Sequence, residues 1–310
     1  MTMKIVVVGS SNTDMIVKVP RIPRPGETIL GGKFSTAAGG KGANQAVAAA
    51  RAGGQVTFIA RVGDDMFGQQ ALRGFEADGI DVQYVKTDPS EPSGVALIFV
   101  DEKGENSIAV ASGANACLSP QDVDEAAAAI RSADILLMQL ETPLATVQRA
   151  AEIARAAGVK VILNPAPAMP LDDALLANLT IITPNESEAE LLTGVAVTDT
   201  ASAEAAAKAL LDRGVEVAII TLGSKGALLK TSKLTKVIPG FKVTAVDATA
   251  AGDVFNGSLA VALAEGKALE EAVRFANAAA ALSVTKLGAQ PSIPKREEIE
   301  RLIKMEIERT

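Results

Sequence analysis

The chain has 310 residues, 48% of them hydrophobic, and a formal net charge of −7. That length and apolar content allow a large buried core, in one big α/β unit or two smaller domains, and exclude a disordered chain. The absence of His and the single Cys117 exclude Ser-His-Asp triads, His proton shuttles, disulfides and Cys-His zinc sites, and a negative balance without a basic block argues against a nucleic-acid partner.

Residues 5–8 are a short apolar run closed by Gly9, the pattern of a strand buried on both faces of a parallel sheet. This opening run is too short for a signal peptide, and no later run approaches the ~20 residues of a membrane span. A cytoplasmic protein without a membrane partner is expected. Segments 14–19 and 28–34 alternate apolar and polar residues around Pro20, Pro23, Pro25 and Gly26, which predicts antiparallel strands with one wet face. An Ala-rich helix over 43–52, closed by Gly53 and Gly54, leads to a strand at 56–62 and a helix at 67–77 that stops at Gly79. Segments 95–100 and 107–111 flank a polar hairpin loop. Together with the earlier pair they interrupt an otherwise alternating βα chain. A small sheet formed by about 11–36 and 93–113 is therefore expected to stand off the main domain as a lid, a subunit contact, or both.

The second half alternates steadily. Ser119 and Pro120 open a helix to 132, 135–140 is a buried strand, and Thr142 and Pro143 start a helix ending at Gly158. Strands follow at 159–163, 180–183 and 215–222, with helices at 171–178, 186–192 and 203–213 between them. A hairpin over 227–238 and helices at 253–265, 269–286 and 296–308 complete the chain. The fold class is α/β: one domain over 1–310, its central mostly parallel sheet flanked by helices on both faces, with a small protruding β-sheet lid. Ligands of such sheets sit at the carboxyl ends of the strands, where Glu141, Asn185, Gly223 and Asp247 fall.

The stretch from Val246 to Gly257 stands out. It predicts the end of an apolar strand, a tight turn of small residues and a helix start, so several backbone N–H groups converge beside one carboxylate. Ala250, Ala251 and Gly252 are small enough for a phosphate to approach that backbone, where the helix dipole favours negative charge. Asp253 could be a simple first-turn charge. Three other clusters give it company: Gly39-Gly40-Lys41-Gly42-Ala43-Asn44, Asn185-Glu186-Ser187-Glu188 and Gly288-Ala289-Gln290-Pro291-Ser292. The first is no Walker loop, and the dinucleotide fingerprint after the first strand is missing. It could be only a turn, as Asn185 could be only a helix cap, Asp14 a solvated strand charge and Glu141 a helix-entry acid.

Across essentially its whole length, through these four separated motifs in order, the chain resembles the ribokinase-like (PfkB) carbohydrate kinase family. It departs at Ala248 and Val254, where the family usually or often carries Thr. The resemblance implies ATP-dependent phosphorylation of the 5-hydroxyl of D-ribose, with Asp253 as general base and the turn of Ala250, Ala251 and Gly252 as anion hole. It implies sugar binding by Asp14, Gly40, Lys41, Asn44, Glu141 and Asp253. Nucleotide binding falls to Asn185, Gly252, Asn277 and the loop Thr221, Leu222, Gly223, Ser224, Lys225, Gly226. The resemblance further implies Mg²⁺ near Asn185 and Glu188, usually through water, and K⁺ at Asp247, Thr249, Ser283, Lys286, Gly288 and Ser292, mostly through main-chain oxygens. A homodimer joined through the lid is expected. Another sugar or nucleoside of the same family stays open as substrate. So do a nicotinamide oxidoreductase, disfavoured by the missing fingerprint, and a non-catalytic sugar- or nucleotide-binding protein, disfavoured by Asp253.

Overall fold

The structure, a computed structural model, describes residues 3–308. In chain order β1 (Lys4–Val8) is followed by β2 (Asn12–Lys18), β3 (Lys33–Gly39), α1 (Lys41–Arg51), β4 (Gln55–Gly63), α2 (Met66–Ala77) and β5 (Asp81–Asp88). Then come β6 (Gly94–Val100), β7 (Asn106–Ala111), α3 (Pro120–Glu125), α4 (Ala127–Arg131), β8 (Ile135–Met138), α5 (Leu144–Ala156), β9 (Lys160–Leu163), α6 (Asp173–Leu176) and β10 (Ile181–Ile182). The last part holds α7 (Glu186–Thr193), α8 (Thr200–Asp212), β11 (Val217–Thr221), β12 (Gly226–Lys230), β13 (Thr235–Pro239), α9 (Ala251–Ala264), α10 (Leu269–Ser283) and α11 (Arg296–Ile307).

Nine strands form the main sheet in the order β13-β12-β11-β10-β9-β8-β1-β4-β5. All pairings from β5 to β11 are parallel, and β12 and β13 add an antiparallel hairpin at one edge. The alternation of strand side chains divides the apolar residues between two cores. Ile5 and Val7 of β1 belong to the core that includes α1, α9 and α10, whereas Val6 and Val8 belong to the one that includes α5 and α8. Helices on both faces explain why the strands are continuous apolar runs. The expected fold class is thus the one found.

A second sheet of four strands, in the order β3-β2-β6-β7, stands apart from the first. Its details differ from the sequence expectation. The antiparallel pairings β2–β3 and β6–β7 are as expected, but the two pairs are joined by β2 and β6 running parallel, because these arrive from separate βα excursions rather than from one hairpin. The strand expected at 28–34 lies at Lys33–Gly39, since Gly31 adopts φ 90° and breaks the extended run, leaving Leu30 88% exposed.

Other boundaries move as well. β5 was not foreseen, the helix expected to end at 132 divides at Ala126, and the one at 171–178 shrinks to α6. The apolar strand expected to lead into Asp247 does not form: 240–246 is irregular and Val246 is 59% exposed.

Candidate active site

The glycine cluster shapes the entrance of α1. Gly40 is the N-cap at φ 89°, a left-handed conformation that a side chain would strain, and it brings Lys41 and Asn44 into the first turn. The Lys41 amide donates to the Glu141 carboxylate at 2.9 Å, and the Ser10 hydroxyl donates to the same oxygen. Glu141, which follows β8, is thereby tied to the start of α1. Asp14 of β2 lies against Gly39, the last residue of β3.

Asp253 enters from the other side, in the first turn of α9. The residue is 6% exposed and its carboxylate is held by two amides: Asn44 Nδ2 donates to Oδ2 at 3.0 Å and Gln45 Nε2 to Oδ1 at 2.9 Å. The other end of the Asn44 amide, Oδ1, is buried without a hydrogen-bond partner. A buried orphan acceptor costs about 1–3 kcal/mol and fits a ligand hydroxyl.

No side chain caps α9, and its N-cap is Ala250 in the left-handed region at φ 60°. It is the one non-glycine residue with positive φ among the described residues. That conformation costs roughly 1–2 kcal/mol for an L-residue, strain of the kind found where a backbone serves a ligand. The Ala251 N–H donates to the Ala248 carbonyl at 3.2 Å, while Gly252 and Asp253 contribute first-turn N–H groups that have no intrahelical acceptor. A Cβ placed on Gly252 meets nothing within 4 Å, so the turn is open beside this residue. The turn can receive an anion.

Charge is concentrated here. Burial, with Glu141 and Asp253 nearby, pushes Asp14 up to about 6. Burial also dominates at Asp253 and pushes it up, against the pull of the Lys41 charge and the Gln45 and Asn44 amides. An ionised Asp14 can accept from two hydroxyls at once, so a sugar held there should bind more weakly as pH falls through 6. Calorimetric titration should show a ribose Kd about tenfold larger at pH 5 than at pH 7, the proton competition expected for one group of that pKa. Asp14→Asn should flatten the difference.

The nucleotide candidates sit at neighbouring strand ends. Asn185 bridges to Thr221 at the end of β11, and Gly223, Ser224 and Lys225 form an exposed turn between β11 and β12. Asn185 and Glu188 form a capping box at α7, and burial pushes Glu188 up. Asn277 on α10 donates to the carbonyls of Ile238 and Pro239, pinning the edge hairpin. Among the described residues no group of three or more His, Cys, Asp or Glu is arranged to hold a metal directly.

Asp247 differs from its expected setting. It is half-buried on an irregular segment rather than sunk at a strand end, and it accepts from the Thr249 amide and hydroxyl and from the Gly288 amide. Burial raises its pKa, but these bonds outweigh that and hold it below the usual carboxylate range. The turn before α9 is thereby tied to the 288 loop. The Lys286 amine pairs with Glu298, and Ser283 and Ser292 are fully buried. Two residues the motifs did not mark also belong to the site: Ser10, by its bond to Glu141, and Gln45. A glutamine inside the Ala-rich run 43–50 was the available sign of the second.

A buried carboxylate at the open start of a helix, facing a set of hydroxyl-binding groups, defines a phosphotransferase site for a small polar acceptor. The profile of the pfkB family carbohydrate kinase matches residues 2–296, and the chain belongs to that family. It is 52% identical over 292 residues to the ribokinase of Haemophilus influenzae, covering 94% of this chain and 95% of that protein. It is 40% identical over 304 residues to the deoxyribokinase of Salmonella typhimurium, covering 98% and 99%. The structure of the Arabidopsis thaliana ribokinase complexed with ribose and ATP superposes with a TM-score of 0.89 at 36% identity, covering 98% of this chain and 99% of that one. No helix among the described residues is long and apolar enough to cross a membrane.

Proposed function

We propose that this chain transfers the terminal phosphoryl group of ATP to the 5-hydroxyl of D-ribose, giving ribose 5-phosphate. The observation that carries the reading is Asp253: a buried carboxylate in the first turn of an uncapped helix, beside the unpartnered Oδ1 of Asn44. Asp253 orients the 5-hydroxyl and takes its proton, and the first-turn N–H groups receive charge developing on the moving phosphoryl. Asp14, Asn44, Glu141 and the start of α1 at Gly40 and Lys41 hold the other hydroxyls. The loop from Thr221 to Gly226, with Asn185 and Asn277, holds the nucleotide. The second sheet closes over the sugar and keeps out water, which would otherwise compete as acceptor. Its bounds are about 11–36 and 93–113 in a single domain of 1–310. With ATP as donor, we place the reaction in the cytoplasm. A panel of pentoses, hexoses and nucleosides with ATP, read by nucleotide release and phosphorus NMR of the product, tests the assignment; a product phosphorylated elsewhere than O5 would overturn it.

A lone half-buried Glu188 beside Asn185 suits a hydrated ion better than a stripped one, so these two residues would hold Mg²⁺ through water. Bound there, the ion would neutralise phosphate charge. A monovalent cation, K⁺ in preference to Na⁺, would be held by Asp247 and by main-chain oxygens of Thr249, Ser283, Lys286, Gly288 and Ser292. The fit rests on Asp247: its carboxylate forms no salt bridge among the described residues, feeling only the nearby charge of Lys18, and Lys286 is engaged elsewhere. In a Mg²⁺-containing buffer whose only monovalent cation is large and organic, adding K⁺ should raise kcat severalfold and Na⁺ less. Equal rates in all three conditions would leave Asp247 as a cap of its own turn.

The lid also joins two copies. Phe34, Leu97, Ile108 and Val110 of the small sheet are all about half exposed or more. An apolar sheet with open edges is an association hazard unless covered. Light scattering should therefore give a dimer at micromolar concentration, and Leu97→Lys should shift it toward monomer.

A further inference from the structure

The Asp253 carboxylate is fastened from behind by a chain of buried amides. Gln139 Nε2 donates to Gln45 Oε1 at 2.6 Å, and Gln45 Nε2 donates both to Asp253 Oδ1 at 2.9 Å and to Asn164 Oδ1 at 3.0 Å. Asn164 Nδ2 donates to the Thr183 carbonyl at 3.3 Å, the Thr183 hydroxyl to Asn256 Oδ1 at 2.6 Å, and Asn256 Nδ2 to the Gly252 carbonyl at 2.8 Å. The chain begins at the base and ends at the residue before it. On the way it passes through α1 and the residues that follow β8, β9 and β10.

Each amide has one orientation that satisfies its neighbours, since a flipped Gln45 would set its oxygen against two acceptors. Gln45 and Gln139 are fully buried. Buried amides of this kind are no route to stability by themselves, because an apolar side chain of similar shape packs at least as well and leaves nothing to satisfy. Closeness of the two helices is built in: a Cβ on Gly257, one turn beyond Asp253, would lie 2.5 Å from the Gln45 carbonyl oxygen. Asn44, on the substrate side, holds Oδ2 and presents its unpartnered Oδ1 beside it.

We propose that Gln45 is a positioning residue for phosphoryl transfer: it fixes Asp253 Oδ1 from behind, so that Oδ2 is the atom that takes the proton of the sugar hydroxyl. The amide chain behind it holds the anion-hole turn at Gly252 in register with that atom. A neutral donor does this without adding charge to a site that already contains Asp14, Lys41, Glu141 and Glu188 around Asp253. A glutamate at 45 would set a further carboxylate against the base.

The inference rests on Asp253 being the base, and the test separates the two. In the full-length enzyme, Gln45→Met should lower kcat about 10- to 100-fold, the scale of one hydrogen bond to a charged group, with the KM values for ribose and ATP held within about threefold. Without that donor the carboxylate keeps its proton to higher pH, so the acidic limb of the kcat profile should move upward. A variant of lower thermal stability with wild-type kcat and an unmoved limb would overturn the proposal. If Gln45→Met does not fold, Gln139→Met, which touches Gln45 but not the carboxylate, should move the limb the same way by less; wild-type kcat and limb there would overturn it. Asp253→Asn, run in parallel, reports on the base itself: substantial activity in that variant removes the base assignment, whatever Gln45 does.

Discussion

Asp253→Asn should lower kcat about 10²- to 10⁴-fold, the usual scale for losing a positioned general base, while leaving the fold and ATP affinity nearly unchanged. Asparagine has the same shape, and its oxygen can still accept from Gln45 Nε2. Its new N–H₂ group would then face Asn44, whose unpartnered Oδ1 is free to turn and accept it. The packing around α9 is therefore satisfied. Stability should hold or rise. Because the folded chain pushes the Asp253 pKa above the ordinary carboxyl value of 3.8, ionising it costs stability at any pH above that value. A neutral amide removes the cost, so a gain in Tm should be larger at pH 7 than at pH 4. A variant with half the wild-type kcat would exclude Asp253 as the base. A variant inactive only because its Tm had collapsed would fail the second half of the expectation.

What the sequence revealed about this site follows from where its residues lie. Asp253, Lys41 and Asn44 occupy first turns of helices, and helix starts are announced by local composition: glycines before α1, small residues before α9. The strand ends carrying Glu141, Asn185 and Gly223 were legible because buried parallel strands are apolar runs that stop abruptly. The parallel pairing of β2 with β6 was not legible, since partner and direction are set by how the chain returns and not by the alternation of either strand. β5 was hidden because its residues, Asp81 to Asp88, alternate at a sheet edge with several charges. Val246 misled in the opposite way: an apolar residue at a site's rim resembles the end of a buried strand. Gln45 was the hardest of all, because a polar residue in an Ala-rich helix ordinarily faces water and only the crossing of α1 with α9 turns it inward.

Ribose should be phosphorylated with a kcat/KM at least about 10²-fold above that of adenosine. Both molecules present a 5-hydroxyl to Asp253, so the base and the anion hole do not distinguish them. The difference lies at the anomeric carbon, where ribose carries a hydroxyl and the nucleoside a purine. The groups around the acceptor are polar and in part buried: Asn44 Oδ1 has no partner of its own, and Asp14 and Glu141 are acceptors that a hydroxyl satisfies and a base displaces. The purine removes the one O–H at that carbon and its bulk draws a neighbouring hydroxyl off its acceptor; two groups so left unpaired cost about 1–3 kcal/mol each, which gives roughly 10²- to 10⁴-fold and places this site among those that reject a mismatched analogue by its missing hydrogen bonds. Nothing offsets that loss for the purine, because the cavity beside Glu141 is lined by residues such as Asn12, Asn115, Ala116, Pro143 and Pro167 and contains no aromatic ring on which a base could stack. 2-Deoxyribose, which lacks one hydroxyl and adds no bulk, should fall between the two at about 10- to 100-fold below ribose. Comparable efficiency on adenosine would move the substrate from a free pentose to a nucleoside, with Asp253 and the turn of α9 unchanged in their work.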